Sequence, residues 1–229
     1  MALGPHDSRV RAAVNLAFVE SGGAPPRIDE LATRVEMTRD EVFDALKRLE
    51  LQGSIILRPG TLDVWTAPPF SATPTLFRVH CDGARYWAGC AWCALGVCAL
   101  LGAPGMITAT LGGEDAPVAI EVGPTGPTSA RPLWIHFAVP AARWVESLGY
   151  SCATIQVFDD PDAIDAWAER HRLPRGVAVP LEQTWQLAKG WFGGGLRPEP
   201  HKRHRSDLQA VFAECGLTDE FFALKPREI

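Results

Sequence analysis

The chain has 229 residues, 47% of them hydrophobic and 21% charged, with a formal net charge of −5. This is the composition of a globular protein with room for a sizeable core, and its acidic balance argues against a protein that mainly grips nucleic acid or anionic membrane. The opening MALGPHDSRVRAA is too polar for a signal peptide, and no uncharged apolar segment is long enough to span a membrane, so the six cysteines are expected to be reduced thiols in the cytoplasm.

Residues 7–22 read as a helix, with Val10, Val14, Ala17 and Phe18 on one face. Gly22 and Gly23 stop it. Residues 28–35 form a short second helix. Thr38 to Glu41 has the form of a capping box and opens a third helix through Leu51, with Val42, Leu46 and Leu49 on its apolar face. Residues 54–66 read as a β-hairpin turning at Pro59-Gly60. Three short helices and a hairpin make a winged helix-turn-helix-like domain over residues 1–69. Its third helix sets Arg39, Lys47 and Arg48 against Asp40, Glu41, Asp44 and Glu50, a balance that suits packing better than phosphate.

Residues 68–75 read as an extended linker, and a second domain is expected over residues 76–229. A strand at 76–79 leads into the cysteine-rich stretch 81–102, read as the start of a buried helix. Strands follow at 106–111 and 116–122 around the Gly112-Gly113 turn, then a loop over 123–132 and a strand at 133–139. Residues 150–158 (YSCATIQVF) read as one strand bearing Cys152. Helices are expected at 161–171, 180–191 and 205–217, with a short strand at 177–180. The second domain is therefore α+β, a mostly antiparallel sheet flanked by helices.

The chemistry concentrates in residues 86–102 (YWAGCAWCALGVCALLG), which carry Cys90, Cys93 and Cys98 and no charge. Cys90-Ala-Trp-Cys93 is a C-x-x-C pair without the second pair that a zinc ribbon needs, and without the β-α-β order of a thioredoxin. Cys93, near a helix start, gains from the positive end of the helix dipole, which favours thiolate. Two thiolates converging from Cys93 and the distant Cys152 would suit a soft two-coordinate metal such as Hg(II) or Cu(I). Cys98 lies about 140° around the helix from Cys93 and points elsewhere. His201 and His204 sit in a basic run read as a solvated tail, Cys215 as packing, and His136 and His171 as structural unless His136 faces a pocket.

Trp92-Cys93-Ala94-Leu95, the run Cys152 to Phe158, and Ala166-Trp167-Ala168 with His171 resemble the organomercurial (alkylmercury) lyase family in order and spacing. The resemblance implies protonolysis of a carbon–mercury bond. Cys93 would attack mercury, Cys152 would complete a dithiolate, and an aspartate three residues after the first cysteine would carry the proton. It implies a small organomercurial substrate, Hg(II) as bound product, small thiols as co-substrate and no required cofactor. Neither a nucleic acid nor a membrane is expected as partner, and no oligomeric state is fixed. Here Gly96 stands where the family has its aspartate. Another acid, a thiol or water would then have to supply the proton, and activity is expected to be reduced or altered. Cys90, one helical turn before Cys93, is the candidate third sulfur and metal ligand. Two alternatives stay open: a homologue that binds a soft metal or acts on another small molecule, and a winged-helix regulator that senses thiols or metals.

Overall fold

Three amphipathic helices come first in the computed structural model, which describes residues 4–114, 116–196 and 205–224. They are α1 (Pro5–Glu20), α2 (Ile28–Val35) and α3 (Arg39–Leu51). Val10, Val14 and Phe18 on α1 meet Leu31 on α2 and Val42, Leu46 and Leu49 on α3, all buried. The capping box at the start of α3 is formed. Thr38 Oγ1 accepts from the Glu41 backbone N–H at 3.2 Å, and the Glu41 carboxylate accepts from the Thr38 N–H at 2.8 Å. Every cation on α3 is matched by a carboxylate: Arg48 by Asp7 at 2.8 Å, Lys47 by Glu50 at 2.9 Å and Arg39 by Asp29 at 3.3 Å.

The hairpin follows as β1 (Ile56–Leu57) and β2 (Val64–Ala67). The stretch expected to be a linker instead supplies β3 (Phe70–Ser71), which is hydrogen-bonded to β2 on one side and to the later β5 on the other. The reason is Phe70. Its ring is fully buried, stacked on Phe18 at 5.2 Å and against Tyr86 at 5.4 Å, so this segment is pinned to both halves of the chain. Next come β4 (Phe77–Cys81), β5 (Ala84–Ala88), α4 (Ala91–Leu101), β6 (Gly105–Thr110), β7 (Pro117–Gly123) and β8 (Gly126–Thr128). Together β1 to β8 form one antiparallel sheet in the order β1-β2-β3-β5-β4-β6-β7-β8.

Strand β5 and the later helix start are corrections to the sequence reading. Asp82 and Gly83, both at positive φ, make a two-residue hairpin turn, so residues 84–88 run back along β4 before the helix begins at Ala91. The remaining elements are β9 (Trp134–Phe137), a 3-10 turn (Ala141–Arg143), α5 (Leu148–Ala153), β10 (Gln156–Phe158), α6 (Ala163–His171), β11 (Val177–Pro180), α7 (Leu181–Phe192), α8 (Arg205–Glu214) and a second 3-10 turn (Glu220–Phe222). Strands β10, β9 and β11 form a second antiparallel sheet, joined to the first by a bridge between Leu111 and Val157. The fold is thus α+β, two antiparallel sheets with helices packed on them.

Helix α4 is apolar all round, and its residues from Ala91 to Cys98 are all buried. It lies across the large sheet with α7 on its other side. Trp92 anchors an aromatic cluster beneath it, with Phe192 at 5.1 Å, Trp144 at 5.2 Å and Trp191 at 5.3 Å. His201 and His204 lie outside the described residues. Among the described residues no helix is long and apolar enough to cross a membrane.

Candidate active site

Strand β5 delivers the chain to Cys90, which is the N-cap of α4 in extended conformation, and its sulfur accepts the Cys93 backbone N–H at 3.2 Å. An N-cap is normally a hydroxyl or carboxylate oxygen. A thiol in that role is fixed in direction by the helix and sits beside Cys93, one turn on. The third sulfur arrives differently from the sequence expectation. Cys152 is not on a strand but near the end of the short helix α5, and only residues 156–158 continue as strand. Local hydrogen bonding explains this. Ser147 caps the helix by accepting the Tyr150 N–H at 3.4 Å, and the Thr154 hydroxyl folds back onto the Tyr150 carbonyl at 3.1 Å to close it.

One backbone bond ties the two parts together: the Ala91 N–H donates to the Ile155 carbonyl at 3.2 Å. The result is that the sulfurs of Cys90, Cys93 and Cys152 all lie within 4.8 Å of one another. All three are buried: Cys90 at 0%, Cys93 at 1% and Cys152 at 9% relative exposure. The wall beside Cys152 is Gly89 and Thr66. An added Cβ at Gly89 would stand 3.7 Å from the Cys152 sulfur and 3.8 Å from the Thr66 methyl, so the β2 hairpin strand lines the site.

Three thiols this close cannot titrate independently. Cys152 accepts from Cys90 and from Cys93, and this holds it well below the usual thiol range. Burial, and then donation to Cys152, pushes Cys90 far up. Donation to Cys152 and to Cys90, together with burial, does the same to Cys93. Within the cluster Cys152 is thus the thiol whose ionisation the other two favour. The helix start favours thiolate at Cys93, whereas its contacts with Cys152 and Cys90 and its burial act against it. Arg11 of α1 supplies a nearby cation. It bonds the Asn15 side chain and the Pro68 carbonyl, and burial pulls it down to about 10 while its interaction with Cys93 works the other way.

Gly96 packs against the end of α7. A Cβ at this position would lie 2.5 Å and 2.7 Å from ring carbons of Phe192, so the ring at the end of α7 occupies the space a side chain would need. Nothing in the sequence links residues 96 and 192, and only the packing of α7 on α4 reveals the pairing.

The other residues singled out lie apart from the thiols. His136 is buried, bonds the Arg175 carbonyl through Nε2 at 2.8 Å and is held below its usual range by burial. His171 pairs with Glu114 beside Trp167. Cys215 is half-buried near the end of the chain. Cys98 is buried on the other side of α4 with Cys81 as neighbour.

Comparison with known proteins converges on one group. Among solved structures, "Crystal structure of the mercury-bound form of MerB2" superposes with a TM-score of 0.66 at 20% identity, covering 82% of this chain and 91% of its own, a likeness of fold. No curated protein matches the sequence. The profile of the alkylmercury lyases (MerB) matches residues 70–193, which run from β3 to the end of α7 and include all three clustered thiols and Gly96. With more than half of its length matched, the chain belongs to the alkylmercury lyase family.

Proposed function

We propose that this chain cleaves the carbon–mercury bond of a small organomercurial by protonolysis, with Cys152 and Cys93 taking the metal and Cys90 replacing the family's acid. The observation that carries this reading is the buried cluster of three sulfurs within 4.8 Å of one another, with Cys152 held below the usual thiol range by its two neighbours. The thiolate of Cys152 displaces a small thiolate from mercury and forms a carbon–mercury–sulfur adduct. Cys93 then binds mercury as the carbon–mercury bond breaks. The electron pair of that bond takes the proton of Cys90, and Cys90 takes the proton that Cys93 sheds. One thiolate and one thiol are consumed, and the products are a hydrocarbon and a mercury dithiolate, so charge and protons balance. Two small thiols then exchange the metal off the protein. The soft thiolates weaken the bond to carbon and the thiol supplies the proton, without a cofactor. Arg11 lowers the cost of negative charge in this apolar space.

The decisive experiment is headspace detection of benzene from phenylmercury incubated with the protein and excess small thiol. Sustained release is expected, and the rate should fall in acid as Cys152 is protonated. It should hold through neutral pH and decline only in alkali, where Cys90 and Cys93 lose their protons. Stoichiometric Hg(II) uptake with no benzene would favour the second reading, a soft-metal binder, which the Gly96–Phe192 packing motivates.

Cys90→Ala separates the roles open to that residue. As the acid, its loss should lower benzene release by about 10²-fold with Hg(II) affinity unchanged. As a third ligand, its loss should weaken Hg(II) retention in competition with small thiol. A variant with neither change would return Cys90 to the core. Arg11 of α1 and Thr66 of β2 lie beside the thiols, and the α3 cations are held by carboxylates, so we assign this N-terminal region to packing rather than to nucleic acid.

A further inference from the structure

Two glycines border the clustered thiols in the chain, Gly89 just before Cys90 and Gly96 shortly after Cys93, and they differ in what fills the space of the missing side chain. At Gly96 that space is taken, with ring carbons of Phe192 2.5 Å and 2.7 Å from where a Cβ would stand. At Gly89 it is open. Apart from its chain neighbours, the nearest atoms to a Cβ there are the Cys152 sulfur at 3.7 Å, the Cys152 Cβ at 3.8 Å and the Thr66 methyl at 3.8 Å. These are ordinary van der Waals distances, so a methyl group fits without displacing anything. Gly89 has no positive φ, so its backbone does not demand glycine either. It is itself partly exposed, whereas Thr66 and Cys152 are buried. The walls of this gap are fixed. Phe70 on β3 pairs with Ala88, the last residue of β5, and the Gly89 N–H donates to the Pro69 carbonyl at 3.4 Å. Thr66 is held on β2 between its partners Ile56 and Ser71.

We propose that Gly89 is a specificity-determining residue: the gap between Gly89 and Thr66 receives the organic group of the organomercurial while Cys152 holds the mercury, and its width sets how large that group can be. The inference rests on the lyase reading above and adds to it the residue that selects the substrate. Metal–thiolate bonds are about 2.3 Å long. A carbon bound on the far side of the metal therefore stands farther from the Cys152 sulfur than the 3.7 Å of a Cβ at position 89, and a side chain there would compete with it for the same space. The next residue, Cys90, then lies beside the carbon that takes its proton. The opposite wall is a single methyl group, supplied by the N-terminal hairpin, so the hairpin takes part in choosing the substrate.

The test compares two substrates on the full chain with excess small thiol: benzene release from phenylmercury and methane release from methylmercury. Gly89→Ala is expected to lower kcat/KM for phenylmercury about 10-fold more than for methylmercury, the discrimination that one carbon gives in a fitted apolar site. Thr66→Ser removes the methyl from the opposite wall and keeps the hydroxyl, and should move the phenyl-to-methyl ratio the other way. Together the two changes should bring the ratio back toward the wild-type value. A ratio unchanged in both single variants, each shown to be folded by circular dichroism, would overturn the assignment. So would an equal loss on both substrates in Gly89→Ala, the mark of a merely structural role. Should Gly89→Ala fail to fold, the ratio in Thr66→Ser decides alone. Capture is followed separately, as the rate at which each organomercurial forms a one-to-one adduct by mass spectrometry. A wild type that captures both but releases no hydrocarbon ends the lyase reading, and the ratio of capture rates still decides the role of Gly89. A wild type that forms no adduct ends both.

Discussion

Cys152→Ser and Cys93→Ser are each expected to lower benzene release by ~10⁴-fold or more, because each removes a sulfur that the chemistry uses as a nucleophile. A serine hydroxyl is nearly the size of a thiol, so the fold should survive. It is also a hard donor that keeps its proton at neutral pH, and mercury has little affinity for it. The two variants should fail at different steps. Without Cys152 the standing thiolate is gone. Cys90 and Cys93 are then thiols in a buried space, and the organomercurial should not be captured at neutral pH. Without Cys93, Cys152 still accepts a hydrogen bond from Cys90 and still captures the substrate, but no second sulfur arrives as the bond to carbon breaks. Mass spectrometry after incubation with phenylmercury should therefore show a one-to-one adduct on Cys93→Ser and none on Cys152→Ser. Full turnover in either variant would remove that residue from the mechanism. Adducts distributed the other way round would move the thiolate to Cys93, as the helix dipole alone suggests.

That asymmetry was not legible in the sequence, although the residues were. The thiols were found by type and spacing, and Cys90 was placed near Cys93 by helical geometry. The direction of the hydrogen bonds depends on three sulfurs meeting in space, which no local pattern encodes. Helix α5 was missed for a related reason. The run from Tyr150 to Phe158 contains enough β-branched and aromatic residues to pass as one strand, yet Ser147 and Thr154 offer side-chain oxygens that cap a single helical turn. Strand β5 was hidden because its residues lead straight into an apolar helix. The Asp82-Gly83 turn was the signal that would have found it. Elsewhere periodicity sufficed: α1 to α3, the hairpin, β6, β7, β9 and α7 lie where their patterns place them. Phe70 was the costliest omission, since one buried ring turns a Pro-rich stretch from a linker into part of a continuous sheet.

Placing an acid at position 96 is expected to require two substitutions rather than one. From the sequence, Gly96→Asp looks like a simple repair. In the structure a side chain at 96 collides with the Phe192 ring at 2.5 Å, and a carboxylate would enter the apolar space between α4 and α7. Overpacking and unpaired burial should together cost about 3 kcal/mol or more, seen as a lowered Tm with little or no gain in rate. Gly96→Asp/Phe192→Ala removes the collision. Phe192→Ala alone should be destabilising by about 3–5 kcal/mol, since the ring is buried against Trp92. The pair should lose less than the sum of the two single changes, because the new side chain occupies part of the vacated volume. If the carboxyl then reaches the departing carbon, benzene release should rise by about 10²-fold over the wild type. Gly96→Asn/Phe192→Ala has the same shape without an acid and should show no rise. A double variant that is folded and no faster than its asparagine counterpart would show that protonation is not what limits this enzyme, and that the thiol of Cys90 already supplies the proton as fast as the carbon–mercury bond can break.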